Sequence, residues 1–364
     1  MISDNTINFF IMTPLLDEEL RSIVCLATDE NRRFTEASVA IMGPDSYLMA
    51  CSAFGNSAAD NAGAMIWWYQ STDGGQTWER TPLVMQNEGG LNVMAPSLIK
   101  LSDGSLGLAY LSKQSLRHGQ ISWRRSFDGG KVWSERVVAY DDGSYTICLN
   151  DCLIQTESGR IIFPVFSTRE AWVKGEHFQA FSLYSDDFGQ TWHRSANNVD
   201  CPGRGAMEPV VFDAGNRKVV MLIRTDQGQF WQAESEDDGQ TWGEARPTTL
   251  EGPQAPCMVK LHPESGILFL IRNPVYRAGE SAGGPRIPLT VAISRDRGQT
   301  WQDGVYVLED STMRTFCYPS ITFDDKFLIA TYYMGRSGAI LCDSPDLRIS
   351  LCLRKIPLLK LGVS

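Results

Sequence analysis

A single eight-residue pattern, S-x-D-x-G-x-[T/V]-W, occurs five times along this chain. Successive copies begin roughly 50 to 60 residues apart, a period typical of repeat architectures in which each repeat is one supersecondary unit. Any fold for this chain must therefore accommodate five equivalent units. The copies occupy residues 71–78, 126–133, 185–192, 235–242 and 294–301.

The residue types of the pattern predict a tight turn at the end of a strand. In the first copy, the Asp73 carboxylate can accept hydrogen bonds from nearby backbone N–H groups, and Gly75 supplies a positive φ. An apolar run at 65–68 precedes this copy, as expected for a strand that enters a hairpin. Trp78 can then pack as a wedge between neighbouring sheets. We interpret the pattern as a folding device; a calcium site is the competing interpretation, but one carboxylate per turn supplies too few oxygen ligands.

Between the copies the chain repeats a second phrase, in which a small or polar residue precedes an apolar strand, a turn and another apolar strand. Six such phrases predict six antiparallel hairpins. The eight-residue pattern is the Asp box, and from about residue 33 to the C-terminus the chain resembles the sialidase (BNR/Asp-box) superfamily. The resemblance implies an all-β fold, a six-bladed β-propeller with five Asp-box hairpins.

One domain over residues 1–364 is the simplest organisation, because no linker or charge block divides the chain. We expect the sixth blade to take its third strand from residues 348–354. Residues 22–27, within an N-terminal closing segment at 1–34, are expected to return as the outer strand of that blade. The N- and C-terminal strands would then close the ring and remove most free sheet edges.

Composition narrows the range of partners. A net charge of −10 argues against nucleic acid and leaves a glycan or small-sugar ligand open. No stretch is long and apolar enough for a membrane span, and no signal peptide is visible. Most of the nine cysteines lie in apolar, strand-like runs, which favours reduced thiols and a cytoplasmic location. No metal constellation stands out, no cofactor is implied, and the sequence does not predict an oligomeric state.

In a propeller the innermost strands converge on the axis, so the residues that open the six phrases should share one funnel. Two of them, Glu208 and Tyr318, carry chemistry that stands out. Aligning the phrases places six residues in one register: Ala37, Ala95, Asp151, Glu208, Ala255 and Tyr318.

Glu208 and Tyr318 resemble the glutamate and tyrosine that form the catalytic pair of sialidases. A sialic acid carries a carboxylate on its anomeric carbon, so an anionic carboxylate nucleophile would be repelled. A neutral phenol that a neighbouring carboxylate deprotonates avoids this repulsion. The alternative is that Tyr318 is a buried aromatic residue and Glu208 a satisfied core carboxylate.

Sialidases hold the substrate carboxylate with three arginines, since a planar guanidinium meets a carboxylate in a bidentate fork. Arg224, at the end of a strand, and Arg286, before the fifth Asp box, are similar to two of them. Both are also compatible with ordinary surface salt bridges. Arg272 has the register of Arg224 one blade further on and is a secondary candidate.

The third arginine is missing from its usual position at the start of the first blade. Glu36 stands there instead, so an acid occupies the place of a carboxylate-binding base, and Arg33 is the nearby arginine that can reach in. Asp60 lies in a loop of small residues at a position similar to that of the family's general acid. Partial burial would raise its pKa, as an acid catalyst requires. Asp60 is equally compatible with a turn.

Three functional hypotheses remain at this point. The first is a retaining, sialidase-like exo-glycosidase that removes a terminal acidic sugar and uses Asp60, Tyr318 and Glu208. The second is another glycoside hydrolase or a polysaccharide lyase with Glu36, Asp151 and Glu208 as its acid and base set. The third is a glycan-binding propeller without catalysis, since fold similarity does not establish activity.

Overall fold

A computed structural model describes residues 18–88, 90–337 and 346–363. The described residues are almost entirely strand and turn, with short 3₁₀ helices at Ser281–Gly283 and Leu358–Leu361, so the expected all-β class is confirmed. The strands are β1 (Leu20–Cys25), β2 (Arg33–Gly43), β3 (Ser46–Phe54), β4 (Ala64–Ser71), β5 (Glu79–Met85), β6 (Asn92–Lys100), β7 (Leu106–Ser115), β8 (His118–Ser126), β9 (Val137–Tyr140), β10 (Tyr145–Ile147), β11 (Ile154–Gln155), β12 (Ile161–Thr168), β13 (Gln179–Ser185), β14 (His193–Arg194), β15 (Met207–Gly215), β16 (Lys218–Arg224), β17 (Gln229–Ser235), β18 (Arg246–Glu251), β19 (Met258–Leu261), β20 (Leu268–Arg272), β21 (Leu289–Ser294), β22 (Gln302–Glu309), β23 (Arg314–Phe323), β24 (Phe327–Arg336) and β25 (Ser350–Pro357).

Consecutive strands pair antiparallel to form most of the sheets. Three four-stranded sheets have the orders β2-β3-β4-β5, β15-β16-β17-β18 and β19-β20-β21-β22. Strands β6 to β14 form one nine-stranded sheet, within which a parallel pairing of Tyr145 with Gly119 joins β10 to β8. Among the described residues, no helix is long and apolar enough to cross a membrane.

The remaining sheet joins the two ends of the chain in the order β1-β25-β24-β23. Leu20 lies opposite Lys355 and Arg21 opposite Arg354, so the N-terminal strand is the outer strand beside β25, as the sequence predicts. The Arg21 guanidinium also contacts Glu309 of β22 at 2.7 Å, which ties this sheet to its neighbour. Residues 1–17 of the expected closing segment lie outside the described residues.

Each Asp box forms the same hydrogen-bonded turn. In the first box the Ser71 hydroxyl donates to Asp73 at 2.8 Å and accepts from the Gly75 N–H at 2.9 Å. Burial opposes ionisation of Asp73, but hydrogen bonds from Thr77 and Ser71 lower its pKa. Two box tryptophans pack on a neighbouring sheet: the ring of Trp133 lies 5.0 Å from that of Trp68 in β4, and the ring of Trp301 lies 6.5 Å from that of Phe212 in β15. These contacts support the interpretation of the boxes as folding devices.

A residue with positive φ recurs in or just before the first strand of successive repeat units. Strands β2, β6, β15 and β23 each place two residues opposite one partner residue at this point, which is a β-bulge that re-aims a side chain. The residue in the first sheet is Glu36 rather than Ala37, so the sequence alignment is wrong there by one position. In the fifth unit Ala255 precedes β19, whose first residue is Met258. The positive-φ residues are Glu36, Ala95, Asp151, Glu208 and Tyr318, with φ of 52°, 53°, 54°, 39° and 52°.

All eight cysteines within the described residues are buried with free thiols, in agreement with the expectation of reduced thiols. Cys342 lies outside the described residues.

Candidate active site

A cavity of about 700 Å³ opens beside β15 and β23, each of which lies at one end of its sheet. Tyr318 of β23 and Glu208 of β15 line it together with Asp60, Arg224 and Arg286. Five candidates that are far apart in sequence are therefore brought together. The opposite wall is apolar and aromatic, and it is formed by Tyr145, Ile147, Phe166, Trp172, Phe178 and Met207.

Tyr318 and Glu208 are in direct contact. The Tyr318 hydroxyl donates a hydrogen bond to Glu208 Oε1 at 2.9 Å, and Glu208 Oε2 accepts one from Arg224. Burial raises the pKa of Tyr318 well above its usual value, and the negative charge of Glu208 raises it further against the opposing charges of Arg224 and Arg286. The phenol is therefore neutral at rest, and its proton points at the carboxylate that can take it.

The two arginines approach this pair from different sheets. Arg286 lies before β21, donates to the Tyr333 hydroxyl at 2.8 Å and to the Gln254 carbonyl at 3.2 Å, and its guanidinium carbon is 5.8 Å from the centre of the Tyr318 ring. Arg224 ends β16 and, like Arg286, lines the cavity. Guanidinium groups beside a cavity are suited to an anionic ligand group.

Asp60 lies in the loop at 55–63 between β3 and β4, and its side chain is 32% exposed. Its carboxylate forms an ion pair with the buried Arg33. Burial alone would raise the pKa of Asp60, but the charge and hydrogen bond of Arg33 outweigh it and lower the pKa. The expectation that burial raises the pKa of this acid is therefore wrong.

Arg33 is the first-sheet arginine that reaches the site, but it lies behind Asp60 rather than on the cavity surface. It is 1% exposed and also donates to the Ala58 carbonyl at 3.2 Å. Glu36 lies deeper still: one carboxylate oxygen is 3.4 Å from Arg33, and the other accepts a hydrogen bond from Ser52 at 3.0 Å. Burial raises the pKa of Glu36 to about 7, against the opposing charge of Arg33. The expectation that Glu36 contacts substrate is not met, because it does not line the cavity.

The expectation that Asp151 and Arg272 contact substrate is not met either, since neither residue lines the cavity. Asp151 accepts hydrogen bonds from the Ser38 hydroxyl at 2.7 Å and the Ile321 N–H at 3.0 Å, and therefore links β2 to β23. Arg272 is 1% exposed and bonds to the Glu251 carbonyl and the Asp303 carboxylate. Both residues are structural.

Sequence reasoning missed the apolar wall of the cavity and a further cation, Arg314 at the start of β23. These residues belong to strands and loops of three sheets, and no motif links them. Trp172 of this wall is an exposed aromatic residue in a loop, and that exposure is the signal by which sequence reasoning could find it.

Comparison with known proteins places this geometry in a family. The model of the BNR repeat-like domain matches residues 26–329. The chain belongs to this family, within the sialidase superfamily. A curated sialidase from Bacteroides fragilis is 26% identical over 308 residues, which cover 72% of this chain and 53% of that protein. The chain thus spans about half the length of this relative.

Solved structures share the fold of this BNR-repeat protein. The Hadza microbial sialidase Hz136 has a TM-score of 0.70 at 18% identity, over 93% of this chain and 68% of that one. Trypanosoma rangeli sialidase in complex with the inhibitor DANA has a TM-score of 0.69 at 15% identity, over 94% and 60%. A Dyadobacter fermentans protein of unknown function has a TM-score of 0.67 at 18% identity, over 93% and 99%. At these identities the likeness concerns the fold alone.

Proposed function

We propose that this chain is a six-bladed propeller that acts as a retaining, sialidase-like exo-glycosidase on a terminal acidic sugar. The observation that carries the proposal is the 2.9 Å hydrogen bond from Tyr318 to Glu208 within a cavity that Arg224 and Arg286 also line. A phenol with a carboxylate base suits attack on an anomeric carbon that bears a negative group, because it brings no charge of its own.

In the first step, the Tyr318 oxygen forms a bond to the anomeric carbon while its proton passes to Glu208. The bond from the anomeric carbon to the leaving oxygen breaks, and Asp60 protonates that oxygen. In the second step water replaces the tyrosine: its oxygen bonds to the anomeric carbon, its proton passes to Asp60, and Tyr318 recovers a proton from Glu208. Two inversions at one carbon give net retention.

The sugar carboxylate would lie between Arg224 and Arg286. Arg224 already donates to Glu208, so it can position the base and bind the substrate with its remaining N–H groups. Glu36 does not oppose binding in this scheme, since Arg33 and Asp60 lie between it and the cavity. The acid at the position expected for an arginine is therefore compatible with an anionic substrate.

Asp60 must carry a proton to act as the acid. Because its pKa is lowered by Arg33, the active protonation state is favoured at acidic pH. The alternative mechanism with Glu36 and Asp151 has no geometric support, since neither carboxylate lines the cavity. A binding role without catalysis is an outcome of the experiment below.

The test is release of fluorophore from 4-methylumbelliferyl α-sialoside by the wild type and by Tyr318→Phe. We expect turnover by the wild type and a loss of at least about 1,000-fold in the variant, because the nucleophile is removed. Tyr332→Phe is the matched control: this neighbouring tyrosine also donates to a buried carboxylate, Glu309 at 2.6 Å, but lies outside the cavity lining. A wild type without turnover, or a Tyr318→Phe variant as active as the control, would overturn the proposal.

A further inference from the structure

Lys113 is a buried cation next to the loop that carries Asp60. It belongs to β7, is 1% exposed and does not line the cavity. Its Nζ contacts the Asn61 side-chain oxygen at 2.5 Å and the Asp60 carbonyl at 3.4 Å. Both hydrogen bonds therefore go to the two residues at the tip of this loop.

Two aromatic rings cover the same ammonium group. Its Nζ is 5.1 Å from the centre of the Tyr145 ring and 5.0 Å from that of the Trp172 ring. Both rings belong to the cavity wall, so they separate Lys113 from the cavity and supply cation–π attraction. Burial lowers the pKa of Lys113 to about 8, which reflects the cost of removing an ammonium group from water.

A second buried side chain holds the loop from the same sheet. Asn92 of β6 lies opposite Lys113 in the strand pairing, and its amide donates to the Asp60 carbonyl at 3.2 Å and the Ala62 carbonyl at 2.8 Å. Asp60 is thus fixed through its backbone by the second unit, while its carboxylate is held by Arg33 of the first. A loop of small residues has little packing of its own to fix an acid in place.

We infer that Lys113 is a positioning residue. It anchors residues 60–61 at the tip of the loop and thereby determines how closely the Asp60 carboxyl approaches the leaving-group oxygen. This inference rests on the proposed glycosidase function. Displacing a catalytic group by about 1 Å lowers the rate about 100-fold, so an anchor that never touches substrate can still control turnover.

Leaving-group dependence tests this role. An alkyl aglycone needs protonation to depart, whereas 4-methylumbelliferone is a stable anion and needs little help from an acid. We therefore compare kcat/KM for 3′-sialyllactose and for 4-methylumbelliferyl α-sialoside in the wild type and in Lys113→Met. We expect the variant to lose roughly 10- to 100-fold on sialyllactose and less than about threefold on the aryl sialoside.

Two further variants keep the test decisive. Asn61→Ala removes the main acceptor of Lys113 and leaves the lysine in place, so it should repeat the selective loss if Lys113→Met does not fold. Lys260→Met is the matched control, because this partly buried lysine contacts Asp151 and the Leu153 carbonyl far from the loop in sequence. It should leave the ratio of the two rates unchanged.

Equal losses on both substrates in Lys113→Met and Asn61→Ala would overturn the positioning role while leaving the proposed glycosidase function intact. Absence of turnover by the wild type on either sialoside would instead refute the proposed function, on which the inference depends.

Discussion

Asp151 and Glu208 are two acids in one backbone position with different surroundings. Both have positive φ, Glu208 at the second residue of β15 and Asp151 in the segment just before β11. Asp151 is closed in by Ser38, the Ile321 N–H and Lys260, and is 2% exposed. Glu208 contacts Tyr318 and Arg224 at the edge of a cavity. This shared backbone position brings the side chain toward the centre of the fold. The neighbouring residues then determine whether the side chain links sheets or lies in the candidate active site.

The largest expected effect comes from neutralising each acid in turn. Glu208→Gln should lower kcat on the aryl sialoside by at least about 1,000-fold, because the amide cannot take the proton of Tyr318. Asp151→Asn should change kcat per folded molecule by less than about threefold, because Asp151 is outside the cavity lining. Active-site titration or the folded fraction by circular dichroism normalises the rates. Equal losses of kcat in the two variants would contradict the distinction between Glu208 and Asp151.

Two arginines in neighbouring sheets repeat the contrast. Arg272→Met should lower the free energy of unfolding by about 1 to 3 kcal/mol and leave KM unchanged, because it removes the buried donor to the Glu251 carbonyl, while the half-exposed Asp303 carboxylate stays solvated. Arg224→Met should also lower stability, because it leaves the buried Glu208 carboxylate without its cation, and it should in addition raise KM for the sialoside. Urea unfolding and steady-state kinetics on both variants check this. A stable Arg272→Met protein with impaired binding would reverse the assignment.

The smallest expected effect concerns Glu36, the third acid with this backbone geometry. Its pKa is raised from 4.5 to about 7, so between these values the folded protein keeps a proton that the unfolded chain has released. Stability should therefore fall as pH rises from about 4.5 to about 7, and Glu36→Gln should remove on the order of 2 kcal/mol of this fall. Thermal unfolding at several pH values measures the slope. Parallel slopes in the two proteins would contradict the prediction.

The sequence predicts the fold class and the catalytic candidates because both leave local marks. Each Asp box specifies a turn within eight residues. The phrases that contain Glu208 and Tyr318 indicate where the strands β15 and β23 start. The one-residue error at Glu36 lies at a β-bulge, where the apolar pattern does not fix which residue takes the positive φ, and Ala37 matches the small Ala95 in residue type.

Other features of the site depend on contacts between distant segments. Arg224 and Arg272 both end a second strand, and only the approach of Asp303 and the Glu251 carbonyl commits Arg272 to the interior. The lowered pKa of Asp60 likewise follows from Arg33, a partner 27 residues away. No local pattern contains this information, so the sequence alone could not separate these cases.

The shared positive-φ residue has a consequence for how such proteins change. Five units have this residue, but its side chain differs among them. It is a methyl group in Ala95, a buried structural acid in Glu36 and Asp151, and a member of the proposed catalytic pair in Glu208 and Tyr318. The backbone conformation is thus independent of the side chain at this position. A new activity can arise in this fold when the side chains at these positions are exchanged and the space beside them opens, while the sheets stay unchanged.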